Sequence, residues 1–256
     1  MRLTRSIVPN LMTLLNIFLG FAAMVEISQG DYTQATTYIL VAGLFDTLDG
    51  ITARLLKAAS EFGVELDSLC DVVSFGVAPA YMAYHAYFYQ FGNIGLLISS
   101  LPALTGVVRL ARFNANITGL DDKKYFIGMP IPGGALLLIS YITYFHIQNK
   151  IPEAYVDYTM ISITVLTSLA MVSKIKFDNM PRPTWGYIKE NPIKFTIFFG
   201  AVIAAIVTKG EFIFYFMAFY LVFSSIRHFV NWLKQSKVPE DGLDEDIESE
   251  PGPYDE

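Results

Sequence analysis

Apolar runs of about 20 residues, the length needed to cross a bilayer, recur along the chain between short polar or Gly- and Pro-bearing breaks. Eight of them are predicted as helices, at roughly 9–28, 34–57, 64–90, 94–116, 131–149, 155–173, 193–208 and 211–233. The breaks are QGDYTQ after the first run, EFG after the second, FGN after the third and DDKKYFIGMPIPGG after the fourth. KIKFDNMPRPTWGYIKENP after the sixth is polar and proline-rich enough to be a loop, and Lys209-Gly210 reads as a tight turn between the last two. Pro9 suits the first turn of the first helix, behind a short basic segment able to lie on a membrane surface. The pattern predicts an all-α, polytopic membrane protein.

Composition agrees, with 53% hydrophobic residues, 20 Phe and 15 Tyr among 256 positions. The single cysteine, Cys70, excludes an intrachain disulfide, and the scattered His85, His146 and His228 do not assemble a zinc site around it. Arg2 and Arg5 precede an apolar run with no small-residue cleavage site, so the N-terminus reads as mature. The formal charge of −6 is unevenly spread. Nine acids and no Lys or Arg lie in residues 239–256, which leaves 18 basic against 15 acidic residues, a charge of +3, over residues 1–238. The chain thus divides into a membrane domain, 1–238, and an acidic tail, 239–256, that cannot bury apolar surface and is expected to stay disordered. Nucleic acid is not an expected partner.

The basic residues test the span count independently. With both termini cytoplasmic, 16 of the 18 Lys and Arg residues fall on the inside and only Lys150 and Lys209 outside. There is no internal repeat and no inverted pair of interrupted helices, which weakens a transporter reading. The aromatic run YHAYFYQF at 84–91, with His85 in it, reads as an interfacial belt.

Aspartate is costly at membrane depth, yet the second and third runs carry four at the end predicted to face the cytoplasm. Asp46, Asp49, Gly50, Ala53 and Arg54 share one helix face, and Gly63, Asp67 and Asp71 share a face of the next helix. A short antiparallel turn would let these faces meet. Hard oxygen ligands without His or Cys select Mg²⁺, Mn²⁺ or Ca²⁺, and one or two such ions would neutralise the cluster and leave positions for substrate oxygens. Gly50, Ala53 and Gly63 clear a shelf for a bulky ligand, and Arg54 can pair with phosphate. The residues alone indicate a divalent-metal site for a phosphorylated ligand; structural ion pairs with Arg54, Arg109 and Arg112, or a cation-transport site, stay open at this point.

The pattern Asp46-x-x-Asp49-Gly50-x-x-Ala53-Arg54, eight residues, Gly63-x-x-x-Asp67-x-x-x-Asp71 resembles the signature of the CDP-alcohol phosphotransferase family at every defined position. DSLCDVVSFGVAPA from Asp67, RLARFN from Arg109 and GMPIP from Gly128 resemble the bacterial-type phosphatidylserine synthase branch, GMPIP as a mild variant of a GLPxP-like segment. The resemblance implies an integral membrane enzyme, expected to be a homodimer, that transfers a phosphatidyl group from CDP-diacylglycerol to the hydroxyl of L-serine and releases CMP. The same chemistry on glycerol 3-phosphate or an inositol phosphate is the nearest alternative.

Carried over by position, the resemblance makes Asp46, Asp49 and Asp67 metal ligands, with Asp71 completing a second metal's shell and serving as general base. Gly50, Ala53, Arg54 and Gly63 match nucleotide-binding positions. Asn10 and Thr13, spaced for one face of the first helix, are candidates to bond cytidine or its phosphates, or else serve as a cap and a satisfied buried polar residue. Arg109 and Arg112 are candidates for the serine carboxylate, although positive-inside topology alone would place arginine there; Ser74 and Asn114 are weaker acceptor-side candidates. Cys70 lies among acids that disfavour a thiolate, so direct attack by serine is expected instead of a cysteinyl intermediate.

Overall fold

The computed structural model describes residues 2–58, 60–115, 125–178 and 192–235. The tail expected at 239–256 lies outside the described residues. Helices α1 (Arg2–Gln29) and α2 (Tyr32–Leu55) pack along each other. A long helical run follows, α3 (Glu61–Asp71), a π turn (Val72–Val77) and α4 (Ala78–Ala86), then a 3₁₀ turn (Phe88–Phe91) into α5 (Gly92–Ala115). Next come α6 (Ile131–Tyr141), extended by a second π turn (Ile142–His146), α7 (Glu153–Val172), α8 (Pro192–Val207) and α9 (Glu211–Gln235).

Four described helical segments are long and apolar enough to cross a membrane: Ser6–Gln29, Phe88–Ala115, Glu153–Val172 and Glu211–Leu233. The expected second and third spans are helical, but they carry the aspartates that lower their hydropathy. Ile131–His146 is apolar but shorter. The outward faces of the long helices are apolar, with Phe18, Phe21, Leu97, Leu169, Phe219 and Phe229 all exposed, as lipid contact requires. The chain is an integral membrane protein.

Two expectations change in detail. Strands β1 (Tyr125–Ile127) and β2 (Lys176–Asp178), inside the breaks after the fourth and sixth runs, pair antiparallel with Phe126 opposite Phe177. The all-α prediction therefore acquires one small ribbon. Phe177 is fully buried beneath Tyr220 of α9, ring centroids 5.4 Å apart, and the Arg227 guanidinium donates to the Lys176 carbonyl at 2.9 Å. Helix α1 also begins before Pro9 and runs through it. Proline has no N–H to bond the carbonyl four residues earlier, so the ladder lacks one bond about two turns into α1.

Helix ends repeat one device. The amide of Asp31 bonds to the Glu26 carbonyl, Ala58 to Ala53, Lys150 to Phe145 and Gly210 to Ala205, each around a residue of positive φ: Gly30, Lys57, Asn149 and Lys209. These are Schellman-type closures, where glycine is the usual left-handed residue. Side-chain caps start the next helices, Asp31 accepting from the Gln34 amide at 2.8 Å and Ser60 from the Gly63 amide at 3.1 Å.

The end formed by the α1–α2, α4–α5, α6–α7 and α8–α9 connections is tied by polar contacts. The Tyr32 hydroxyl lies 3.0 Å from His85 Nδ1, Thr36 and Thr143 bond at 2.6 Å, Tyr87 donates to Asp157, and Lys150 pairs with Glu211 at 2.7 Å. His85 and its aromatic neighbours thus make specific contacts beyond an interfacial belt. The opposite end carries the ribbon and the aspartates.

Candidate functional site: a carboxylate cluster between three helices

Helical periodicity puts Asp46 and Asp49 on adjacent turns of α2 and Asp67 and Asp71 on adjacent turns of α3. Helix α1 packs against both α2 and α3. One carboxylate oxygen from each of Asp46, Asp49 and Asp67 lies within 4.8 Å of the others. Asp71 joins through Asp46, whose carboxyl meets those of both Asp67 and Asp71. Asp49 and Asp71 are buried, while Asp46 and Asp67 are partly open.

Helix α1 orients two of these groups. Thr13 Oγ1 donates to Asp49 Oδ2 at 2.6 Å, and the Pro9 carbonyl lies 3.1 Å from the same hydroxyl as a competing acceptor. Asn16 Nδ2 donates to Asp71 Oδ1 at 3.2 Å. Asn16 was not among the sequence candidates, although its spacing of three from Thr13 puts it on the same face. Asn10 completes that row: its Oδ1 lies 3.6 Å from the point where a Cβ on Gly63 would stand.

The π turn follows Asp71 directly and re-aims the helix beyond it, a placement common at functional sites. Ser74 is fully buried, and its hydroxyl donates to the Asn16 carbonyl at 3.0 Å, tying the turn to α1. A Cβ on Gly20 would stand 2.3 Å from Ser74 Oγ and 2.8 Å from its Cα, so the two backbones approach as closely as glycine permits. Gly50 differs, because a Cβ there meets no protein atom within 4 Å. Ala53 is half-buried and Arg54 exposed beside it at the end of α2.

On the acceptor side, Arg109 is buried within electrostatic reach of Asp71 and of Tyr220, its guanidinium 5.7 Å from the Phe113 ring centroid. Asn114 Nδ2 donates to Ser68 Oγ at 3.0 Å, and its Oδ1 is buried without a hydrogen-bond partner. Arg112 is exposed and donates to the Val172 carbonyl at 3.1 Å, bracing α5 against α7. Cys70 is buried beside the acids.

The residues fit a hard divalent cation. The donors are carboxylate oxygens of four aspartates on two adjacent helices. Asp67 Oδ1 is buried without a hydrogen-bond partner. Carboxylates this close repel unless a cation is shared among them, and oxygen-only donors suit magnesium, manganese or calcium.

Comparison with known proteins points the same way. The family model described as CDP-alcohol phosphatidyltransferase matches residues 6–172. A CDP-diacylglycerol–serine O-phosphatidyltransferase of Helicobacter pylori is 37% identical over 221 residues, 86% of this chain and 90% of the relative. One of the same name from Methanocaldococcus jannaschii is 36% identical over 181 residues, 71% of this chain and 78% of the relative. An archaetidylserine synthase of Methanothermobacter thermautotrophicus is 38% identical over 174 residues, covering 67% and 70%. With the signature residues gathered into one acidic cluster and a family match across most of the helical body, this chain belongs to the CDP-alcohol phosphatidyltransferase family.

Proposed function

We propose that the protein transfers the phosphatidyl group of CDP-diacylglycerol to the hydroxyl of L-serine, giving phosphatidylserine and CMP. The convergence of Asp46, Asp49 and Asp67 carries this reading, with oxygens within 4.8 Å of one another and Asp71 in contact with Asp46. The relatives' names support serine as the acceptor.

Asp46, Asp49, Asp67 and Asp71 would hold one or two divalent ions, Mg²⁺ or Mn²⁺. A bound ion would supply charge neutralisation at the pyrophosphate and acidify the attacking hydroxyl. Thr13 fixes the direction of the Asp49 carboxylate. Asn16 holds one oxygen of Asp71, leaving the other to take the serine proton as the oxygen–phosphorus bond forms and the bond to CMP breaks. Gly50 and Ala53 leave room for the nucleotide, Gly63 lets the Asn10 and Ser60 side chains close in at its edge, and Arg54 pairs with its phosphates. Arg109 orients the serine carboxylate and Asn114 Oδ1 accepts from its ammonium, while Arg112 and Ser74 brace that side of the site. Attack is direct, without a cysteinyl intermediate.

In this reading residues 1–238 form the membrane domain and cross the bilayer eight times, residues 239–256 are a solvated acidic tail, both termini and the active site face the cytoplasm, and the enzyme is a homodimer. The distribution of Lys and Arg supports that orientation. The test is CMP release by purified protein from CDP-diacylglycerol with Mg²⁺ or Mn²⁺, comparing serine, glycerol 3-phosphate and an inositol phosphate. Release that depends on serine is expected. Release with another alcohol alone would overturn the acceptor, and solute flux without CMP release would favour a cation-coupled transporter.

A further inference from the structure

At the end of the bundle away from the aspartates, α8 packs chiefly on α9. Between these helices, α2 and α6 lies a cavity of about 440 Å³, lined by Leu40, Leu136, Tyr144, Ala205, Phe216 and Lys209 among others. Thr37 also lines it, nine residues before Asp46 on α2 and so about 13 Å away along that helix. The volume is in the range of small-ligand sites. Its walls are almost wholly apolar, and at membrane depth the medium that fills such a space is hydrocarbon, not water.

Lys209 gives the cavity a charged margin. It occupies the left-handed closing position of α8, at φ 53°, where glycine is the usual residue, with Gly210 following at φ 98°. The acid of the same turn, Glu211, is engaged at 2.7 Å by Lys150. A lipid phosphate complements the cation, and an acyl chain complements the walls.

We propose that this cavity binds an anionic glycerophospholipid, one acyl chain lying against Leu40, Leu136, Ala205 and Phe216 and the phosphate pairing with Lys209. The site is separate from the aspartate cluster, and its occupancy is measured without turnover. Full-length protein in mild detergent, offered equal amounts of phosphatidylglycerol and phosphatidylcholine of matched chains, is read by native mass spectrometry. One retained lipid per chain is expected, with phosphatidylglycerol preferred about fivefold, the effect of one lysine on a net anionic headgroup, because the choline cation of phosphatidylcholine offsets its phosphate. Lys209→Gly relaxes the turn while removing the cation, and should bring the preference to about unity with lipid still retained; Lys209→Arg should keep it. Ala205→Phe fills the cavity and should abolish retention. No retained lipid in the wild type, an unchanged preference in Lys209→Gly, or undiminished retention in Ala205→Phe would overturn the proposal. So would a lipid-free dimer that Ala205→Phe dissociates, which would assign the cavity to a second copy. If Ala205→Phe does not fold, the Lys209→Gly comparison decides alone.

Discussion

Thr13→Val removes one hydroxyl from a buried position and keeps the branched shape of the side chain. The lost bond, 2.6 Å to Asp49 Oδ2, has a charged acceptor, and such bonds contribute about 1.5–3 kcal/mol. Asp49 keeps its place on α2 but loses the donor that fixes its rotamer. If that loss falls on cation binding, metal affinity drops roughly 10- to 100-fold, the effect typical of outer-shell substitutions. The assay is CMP release titrated with Mn²⁺. The midpoint should shift upward by that factor while turnover at saturating metal stays within about threefold of wild type, and Thr13→Ser should behave as wild type. An unchanged midpoint, or a turnover loss that excess metal does not restore, would refute the role given to Thr13.

Four further outcomes are expected. Gly20→Ala drives a methyl into Ser74, whose Cα is 2.8 Å from the new carbon; thermal unfolding in detergent should show a loss of roughly 1–3 kcal/mol, and equal or higher stability would contradict the close packing of α1 on the π turn. Gly50→Ala meets no protein atom within 4 Å, so stability should hold or rise by roughly 0.5–1 kcal/mol while KM for CDP-diacylglycerol rises about tenfold; an unchanged KM would remove the nucleotide from that shelf. Arg109→Lys keeps the charge but not the planar fork and should raise KM for serine about tenfold, leaving KM for CDP-diacylglycerol unaltered. Asp71→Asn should lower CMP release roughly 10²- to 10⁴-fold, and near-normal turnover would exclude it as the base.

The cluster was legible in the sequence because its spacing is local. Residues three and four apart share a helix face whatever the tertiary context, so Asp46 with Asp49 and Asp67 with Asp71 could be paired before any fold was known. The partners on α1 were harder to read. Thr13 and Asn16 find Asp49 and Asp71 only through the rotation of α1 against two other helices, which no single-helix periodicity reports. Ser74 illustrates the converse: its position after Asp71 suggested substrate contact, whereas the π turn directs its hydroxyl to the Asn16 carbonyl. The ribbon was concealed because its strands are three residues each and some 50 residues apart. The second and third runs were recognised as helices despite their acids, and those acids make their hydropathy a weak guide to membrane depth.

In the proposed mechanism four aspartates act together as a divalent-metal site for phosphatidyl transfer. Its most direct measurement is CMP release from CDP-diacylglycerol and serine after chelation, followed by Mn²⁺ add-back, in wild type and in Asp67→Asn. Chelation should abolish release, Mn²⁺ should restore it in the wild type, and Asp67→Asn should require at least about tenfold more metal for any recovery. Full release in chelator, or a wild-type metal response from Asp67→Asn, would rule out a metal site built on these aspartates.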